Sequence, residues 1–250
     1  MTAAPQPSLL VYGVVAEDAG SVPADAVGPD GAALRRVTYH DLAAVVGGVM
    51  PEWRPGRQDL LQYSSIVDGL AQHGPVVPVQ FGSLLADEQD VVERVLAPEE
   101  ERLSELLDEL AGKVQVQVRA RYVEEAVLAE VVAADPGVRA LRERTKDLPE
   151  EAGHADRVRL GELAAHAVAD RAVEDAETVL AVVRPHVVAE IVRPVGGLDV
   201  LDAVALVEVD EVRVLEDALE ALAQAAFDRL RIRLVGPTAP YDFVGGTGWD

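Results

Sequence analysis

The chain has 250 residues, no cysteine, and 44 acidic against 22 basic residues, for a formal net charge of −22. That balance excludes disulfides, thiolate metal sites and a cysteine nucleophile, and it sets the chain against phosphate backbones and anionic lipid surfaces. No run reaches the roughly 18 uninterrupted apolar residues of a membrane span, and Met1 to Ser8 carries no basic leader region, so the expectation is a cytoplasmic protein with no nucleic-acid or membrane partner.

In chain order, Leu9 to Ala16 is an apolar, β-branched run that reads as a buried first strand, followed by a loop from Pro23 to Gly31. Leu34 to Tyr39 and Leu42 to Val49 are short strands around His40-Asp41, a hairpin closed by Gly47-Gly48. Arg57 to Gln72 places Leu60, Val67, Leu70 and Ala71 at helical spacing before the stop signal Gly74-Pro75. Val76 to Phe81 reads as a strand that, because of Pro78, either lies at a sheet edge or turns its proline away from its neighbour. Helices follow over Asp87 to Leu96 and from Glu99, the second carrying Leu103, Leu106, Leu107 and Leu110 on one face and ending at Gly112.

Lys113 to Arg119 alternates cleanly, with Val114, Val116 and Val118 on one face and Gln115 and Gln117 on the other, so one face meets water or a partner. Tyr122 to Ala134 and Val138 to Lys146 read as helices broken at Asp135-Pro136-Gly137, and the loosest segment is expected at 147 to 155. The periodicity predicts a long helix from Asp156 to Val182, with Ala-rich turns that admit another helix closely. A hairpin of Val187 to Val192 and Leu201 to Val209, a helix from Val212 to Phe227, and a strand with Leu230, Ile232 and Leu234 complete the pattern.

Strands and helices in this order predict an α+β fold in two domains. Residues 1–122 form an N-terminal, modified ferredoxin-like sandwich; residues 123–250 form a helical segment and a smaller C-terminal α+β domain with an extended tail.

A search for chemistry finds no catalytic, cofactor-binding or metal-binding set. His166 has Glu162 and Asp170 one turn away on either side, the pattern of a solvated helix face. Ser64 and Ser65 lie near Asp68 and His73 but share one helix and lack a nucleophile elbow. Gly245 to Trp249 has the glycines of a phosphate loop without its lysine or its helix, and reads as a tail. Trp53, between Pro51 and Pro55, reads equally as a loop anchor or a core cap. Tyr241 and Phe243 follow the last strand in a Pro-rich segment; they either fold back onto the core or grip a partner, and folding back is the expectation.

Three segments point to a known family. Tyr12-Gly13-Val14 in the first strand, Gly74-Pro-Val-Val-Pro-Val-Gln-Phe-Gly82, and Gly236-Pro-Thr-Ala-Pro-Tyr-Asp-Phe243 together resemble the gas vesicle protein F/L family across nearly the whole chain. Two departures stand out: Ala239 occupies the place of the first proline in the family's terminal pair, and the Lys113 to Val118 region lacks a glutamate and a tryptophan. The resemblance implies a non-enzymatic minor component or assembly factor in gas vesicle formation, located at the gas vesicle in the cytoplasm, with no cofactor. Its implied partner is the small hydrophobic major shell protein, together with other gas vesicle accessory proteins. Tyr241, Phe243, Val114, Val116 and Val118 are the expected partner-binding residues. The competing readings are a hydrolase or metal-dependent enzyme on a ferredoxin-like scaffold, marked by converging titratable groups in a deep pocket, and a small-ligand regulatory module, marked by a closed apolar pocket.

Overall fold

A computed structural model describes residues 7–20, 26–226 and 228–245. Its contacts divide the chain into two compact units, residues 1–115 with 237–250, and residues 116–236.

In the first unit, β1 (Ser8–Ala16) is buried along almost its whole length and pairs antiparallel with β3 (Leu42–Val49). The β2 strand (Leu34–Tyr39) turns into β3 through His40-Asp41, with His40 at φ 49°. Helix α1 (Arg57–His73) then leads to β4 (Val77–Pro78) and β5 (Leu84–Leu85), both of which pair with β1. The strand order is β2-β3-β1-β4. Gly13 explains the glycine of the Tyr-Gly pair: a Cβ there would stand 2.8 Å from Val76 Cγ2 and 3.0 Å from the Val77 carbonyl, so a side chain would push β4 off β1. The predicted strand Val76 to Phe81 thus shrinks to two residues at the sheet edge, where Pro78 costs no interior ladder bond.

The core of this unit gathers Leu10, Tyr12, Val45, Tyr63, Val67 and Val76. Tyr63 of α1 stacks on Tyr12 with centroids 4.8 Å apart, and its hydroxyl donates toward the carbonyls of Val79 at 2.6 Å, Val11 at 2.9 Å and Tyr12 at 3.2 Å. Trp53 caps this core. Its ring meets Phe81 edge-on and its indole N–H donates to Asp59, whose other oxygen accepts the Gly56 N–H at the start of α1. Those hydrogen bonds, the backbone one first, hold the Asp59 carboxyl below its ordinary pKa. The region predicted as a helix over Asp87 to Leu96 is α2 (Glu88–Val91) running into a π-helical stretch (Val92–Leu96), and α3 (Glu100–Leu110) follows a short 3-10 turn at Pro98.

The second unit is built on β6 (Lys113–Tyr122), β7 (Ala189–Arg193), β8 (Asp199–Glu208) and β9 (Leu230–Thr238), in the order β7-β8-β6-β9. β7 and β8 are antiparallel. Tyr122 N–H to the Leu198 carbonyl and Gln117 to Asp202 on one side, and Val123 N–H to the Arg229 carbonyl and the Thr238 hydroxyl to the Gln115 carbonyl on the other, run the numbering in opposite senses and make β6 antiparallel to both β8 and β9. Between β6 and β7 lie α4 (Glu124–Ala134), α5 (Pro136–Thr145) and α6 (Glu150–Val183); between β8 and β9 lies α7 (Val212–Ala225). Val116, Val118, Val127, Val179, Leu201 and Leu215 belong to the core that these helices form on the sheet.

Numbered along each sheet, both units have the order second-third-first-fourth. In the second unit this is the β-α-β-β-α-β ferredoxin-like pattern, with a helical crossover on each side. Among the described residues between β1 and β2 of the first unit, the 3-10 turn Pro29–Gly31 stands where the first crossover helix would be. The expected α+β fold with antiparallel sheets is present, and the modified ferredoxin-like description fits residues 1–115.

The sequence grouping into 1–122 and 123–250 differs from these units at two places. β6 hydrogen-bonds to β8 and β9, so the strand enters the second sheet; residues 237–245 pack with the first unit. Three local expectations also shift. Tyr122 and Val123 are not helical, because Tyr122 ends β6. The segment 150–155 is helical rather than loose, since α6 begins at Glu150 directly after Pro149. Helix α7 ends at Ala225, and Phe227 and the Gly246 to Trp249 part of the tail lie outside the described residues.

Candidate partner-binding groove

Helices α4 and α5 meet at Asp135, whose side chain accepts the N–H groups of Gly137 and Val138 and so caps α5 just after the chain turns. Arg139 donates back to the carbonyls of Val132 and Ala133 at the end of α4. At the other end of α5, Arg144 pairs with Asp156 and Arg157 donates to the Leu148 carbonyl at 2.6 Å, binding α5 to the start of α6.

These three helices enclose an open groove of about 790 Å³ within the second unit. Leu128 and Val132 of α4 form one wall and Val138 of α5 another, while α6 supplies a floor of Leu160, Ala164 and Val168. Leu198, in the β7–β8 turn, closes one side. Leu128 is 37% exposed, and Ala129, Ala165 and Ala169 also face solvent, so the lining is apolar surface left in water. Polar groups are few: Glu125, Arg142 and Arg157. Arg142 is exposed and has no ion pair among the described residues.

Beneath the helices lies a charged cluster. Arg229 forms two hydrogen bonds to Asp175 of α6, at 2.7 and 2.8 Å, and Tyr122 donates its hydroxyl to the same carboxylate. Glu130 of α4 bridges Arg171 at 3.1 Å and approaches Arg229 at 3.9 Å. Burial, reinforced by the hydrogen bond and charge of Asp175, pushes the Tyr122 hydroxyl well above its ordinary pKa. The cluster fixes α4 and α6 onto the end of β6.

The expected binding residues sit elsewhere. Val116 and Val118 are fully buried in the core of the second unit and Val114 is buried as well, so the valine face of β6 is not available to a partner. Its glutamine face is also engaged: Gln117 donates to Asp202, while Gln115 exchanges two 3.0 Å hydrogen bonds with the side chain and backbone N–H of Asp242. The tail folds back. Ala239 is fully buried and donates its N–H to Asp68 of α1 at 2.8 Å, and Arg102 of α3 donates to the carbonyls of Val244 and Gly245. Tyr241 and Phe243 form a 3-10 turn there; Tyr241 is 36% exposed as a residue, but burial and then the nearby Asp68 charge raise its hydroxyl pKa. Ala239 in place of proline therefore has a physical reason, because proline has no N–H to give Asp68.

His166 is 80% exposed and faces Asp170 at 3.6 Å, an ordinary surface pair. Among the described residues no three His, Asp or Glu side chains gather as metal ligands, and no helix is long and apolar enough to cross a membrane. The groove is not among the sequence expectations, although Leu128 and Val132, and Leu160, Ala164 and Val168, recur there at helical spacing.

The family described as "Gas vesicle synthesis protein GvpL/GvpF" matches residues 8–245. The chain belongs to this family. A curated relative, gas vesicle protein F of Streptomyces sp. (strain CB03234), is 31% identical over 95% of this chain and 99% of its own length. Gas vesicle protein F of Microcystis aeruginosa (strain PCC 7806) is 23% identical over 75% of this chain and 78% of its own. The crystal structures of gas vesicle protein GvpF from Anabaena sp. PCC7120 and from Microcystis aeruginosa superpose with TM-scores of 0.76 each, at 20% and 21% identity, covering 95% of this chain and 98% of theirs. The GvpL/GvpF fold is thus this chain's fold, and its function is gas vesicle-related.

Proposed function

We propose that this chain is a non-enzymatic assembly factor of the gas vesicle that binds the small hydrophobic shell protein in the cytoplasm and keeps it from aggregating until it joins the shell. A shell subunit must present a large apolar surface to gas, and in water that surface associates indiscriminately. A carrier needs matching apolar surface of its own on a highly charged body that stays dispersed, and the groove of α4, α5 and α6 on a chain of net charge −22 has both properties. That groove is the observation that carries the proposal. Tyr241 and Phe243 are assigned to holding the tail, and the partner surface moves from β6 to the groove.

Co-expression of the shell protein with and without this chain tests the reading. The expected result is shell protein that stays in the supernatant and co-purifies with the chain. Equal aggregation in both cultures and no co-purification would end it.

A further inference from the structure

Resting on that functional reading, we infer that the groove takes an apolar helix of the shell protein, oriented by a carboxylate on that helix that meets Arg142. The groove's walls and floor are three α-helices, whose interior backbone groups are already hydrogen-bonded within each helix. An extended segment laid in it would bury N–H and C=O groups with nothing to pair them. A helix carries its own backbone pairs inside and presents only side chains. The dimensions agree: on α6 the lining residues run from Arg157 to Ala169 at spacings of three and four, one face of the helix for roughly 18 Å at about 1.5 Å per residue. That is about three turns of an incoming helix. Gly161, Ala164 and Ala165 keep the floor low enough for bulky side chains of the occupant to fill the space between Leu128 and Val138.

Charge supplies the register. A partner carboxylate is repelled over most of a chain with 44 acidic residues, and at the groove it finds Arg142 exposed on the wall. Glu125 lies on the α4 wall, so an acidic side chain placed there is disfavoured. The partner helix thus combines apolar residues at i, i+3, i+4 and i+7 with one acid that reaches α5 and none that reaches α4.

The test uses the full chain co-expressed with the shell protein. A photo-reactive phenylalanine analogue at position 165 should cross-link to one helix-forming apolar segment of the shell protein that contains a carboxylate. Ala165→Trp, which fills the groove from an exposed position, and Arg142→Glu should each reduce retained shell protein at least tenfold without changing the melting temperature. Reversing the cross-linked segment's acid to arginine should restore binding to Arg142→Glu. If Ala165→Trp lowers the melting temperature, Ala129→Trp obstructs the groove from the α4 wall instead. Full retention by all these variants would overturn the groove while leaving the carrier function standing, whereas no retention by the unaltered chain would overturn the function itself. An alkyl carboxylate that co-purifies with the chain and is displaced by Ala165→Trp, with shell protein still retained, would assign the groove to a small amphiphile and refute the helix.

Discussion

The two units share one strand order and differ in what fills the first crossover. In residues 1–115 the described part of the connection from β1 to β2 holds the 3-10 turn Pro29–Gly31; in residues 116–236 the chain passes from β6 to β7 through three helices. The sheet needs only that the crossover return the chain parallel to its first strand, so the connection is free to vary. In the second unit that freedom is used for a surface, because the groove lies entirely among the inserted helices and the β7–β8 turn. The first unit is instead completed by the tail, whose Ala239 N–H reaches Asp68.

The sharpest way to break this contrast is Asp175→Ala. It leaves Arg229 and Tyr122 facing each other without their common acceptor, and loss of one partner of a largely buried ion pair costs about 3 to 5 kcal/mol. The expected outcome is a lowered denaturation midpoint in the second unit, followed by hydrogen exchange of α4 and α6. Unchanged protection of those helices would show that the cluster does not fix them.

Deleting residues from Pro237 onward should act on the other unit. It removes buried Ala239 and Val244, much of Tyr241, and the bonds to Asp68, Gln115 and Arg102, for a loss of about 2 to 4 kcal/mol. Trp53, at the edge of that core, reports it by fluorescence. A midpoint equal to that of the full-length chain would mean that the tail contributes no stability.

Within the first unit's core, two tyrosines in one stack should respond oppositely to loss of their hydroxyls. Tyr63→Phe removes the single O–H that the carbonyls of Val79, Val11 and Tyr12 surround and should cost about 1 to 2 kcal/mol. Tyr12→Phe should be neutral or stabilising within about 1 kcal/mol, since the Tyr12 hydroxyl is buried with no partner among the described residues. Burial first, then the Asp59 charge, pushes the Tyr12 pKa up to about 12 from 10.0. Its share of stability is therefore present below pH 10 and lost as pH rises through about 12, a loss that should be absent in Tyr12→Phe.

The smallest expected effect is at Asp68. Burial raises its carboxyl above the ordinary 3.8, partly offset by the Ala239 N–H, so the ionised form is less favoured in the folded chain than in the unfolded one. That contribution to stability is present below pH 3.8 and lost as pH rises through the raised value. Asp68→Asn keeps an acceptor for Ala239 and removes the charge. Its urea midpoint relative to the unaltered chain should be higher at pH 7 than at pH 3.5, and a difference that does not change with pH would refute the assignment.

How much of this was legible depends on how far each pattern reaches along the chain. The alternation at Val116 and Val118 and the helical spacing of Val67 and Leu70 report local burial, and those elements stand where the pattern puts them. Which side of β6 remains open does not follow from alternation, because Gln115 and Gln117 find partners at Asp242 and Asp202, far along the chain. Tyr122 reads as helical beside the Glu124 to Ala134 pattern, but its hydroxyl pairs with Asp175 and its N–H with the Leu198 carbonyl, tertiary contacts that outweigh local propensity. The groove was harder still. Leu128 and Ala165 look like core residues in sequence, yet both are exposed along the groove of α4, α5 and α6.

The return of the chain to its first unit at Pro237 has a consequence for birth on the ribosome. Chains grow from the N-terminus, and domains generally fold as they emerge. Here the first unit cannot finish in that order: Asp68, Gln115 and Arg102 wait for partners at Ala239, Asp242 and Val244, which are translated after the whole of the second unit. The contacts of greatest sequence separation thus form last, where loop closure is slowest. A nascent or prematurely terminated chain has the groove without a completed first unit, so full translation itself distinguishes finished chains from fragments that expose the same apolar surface.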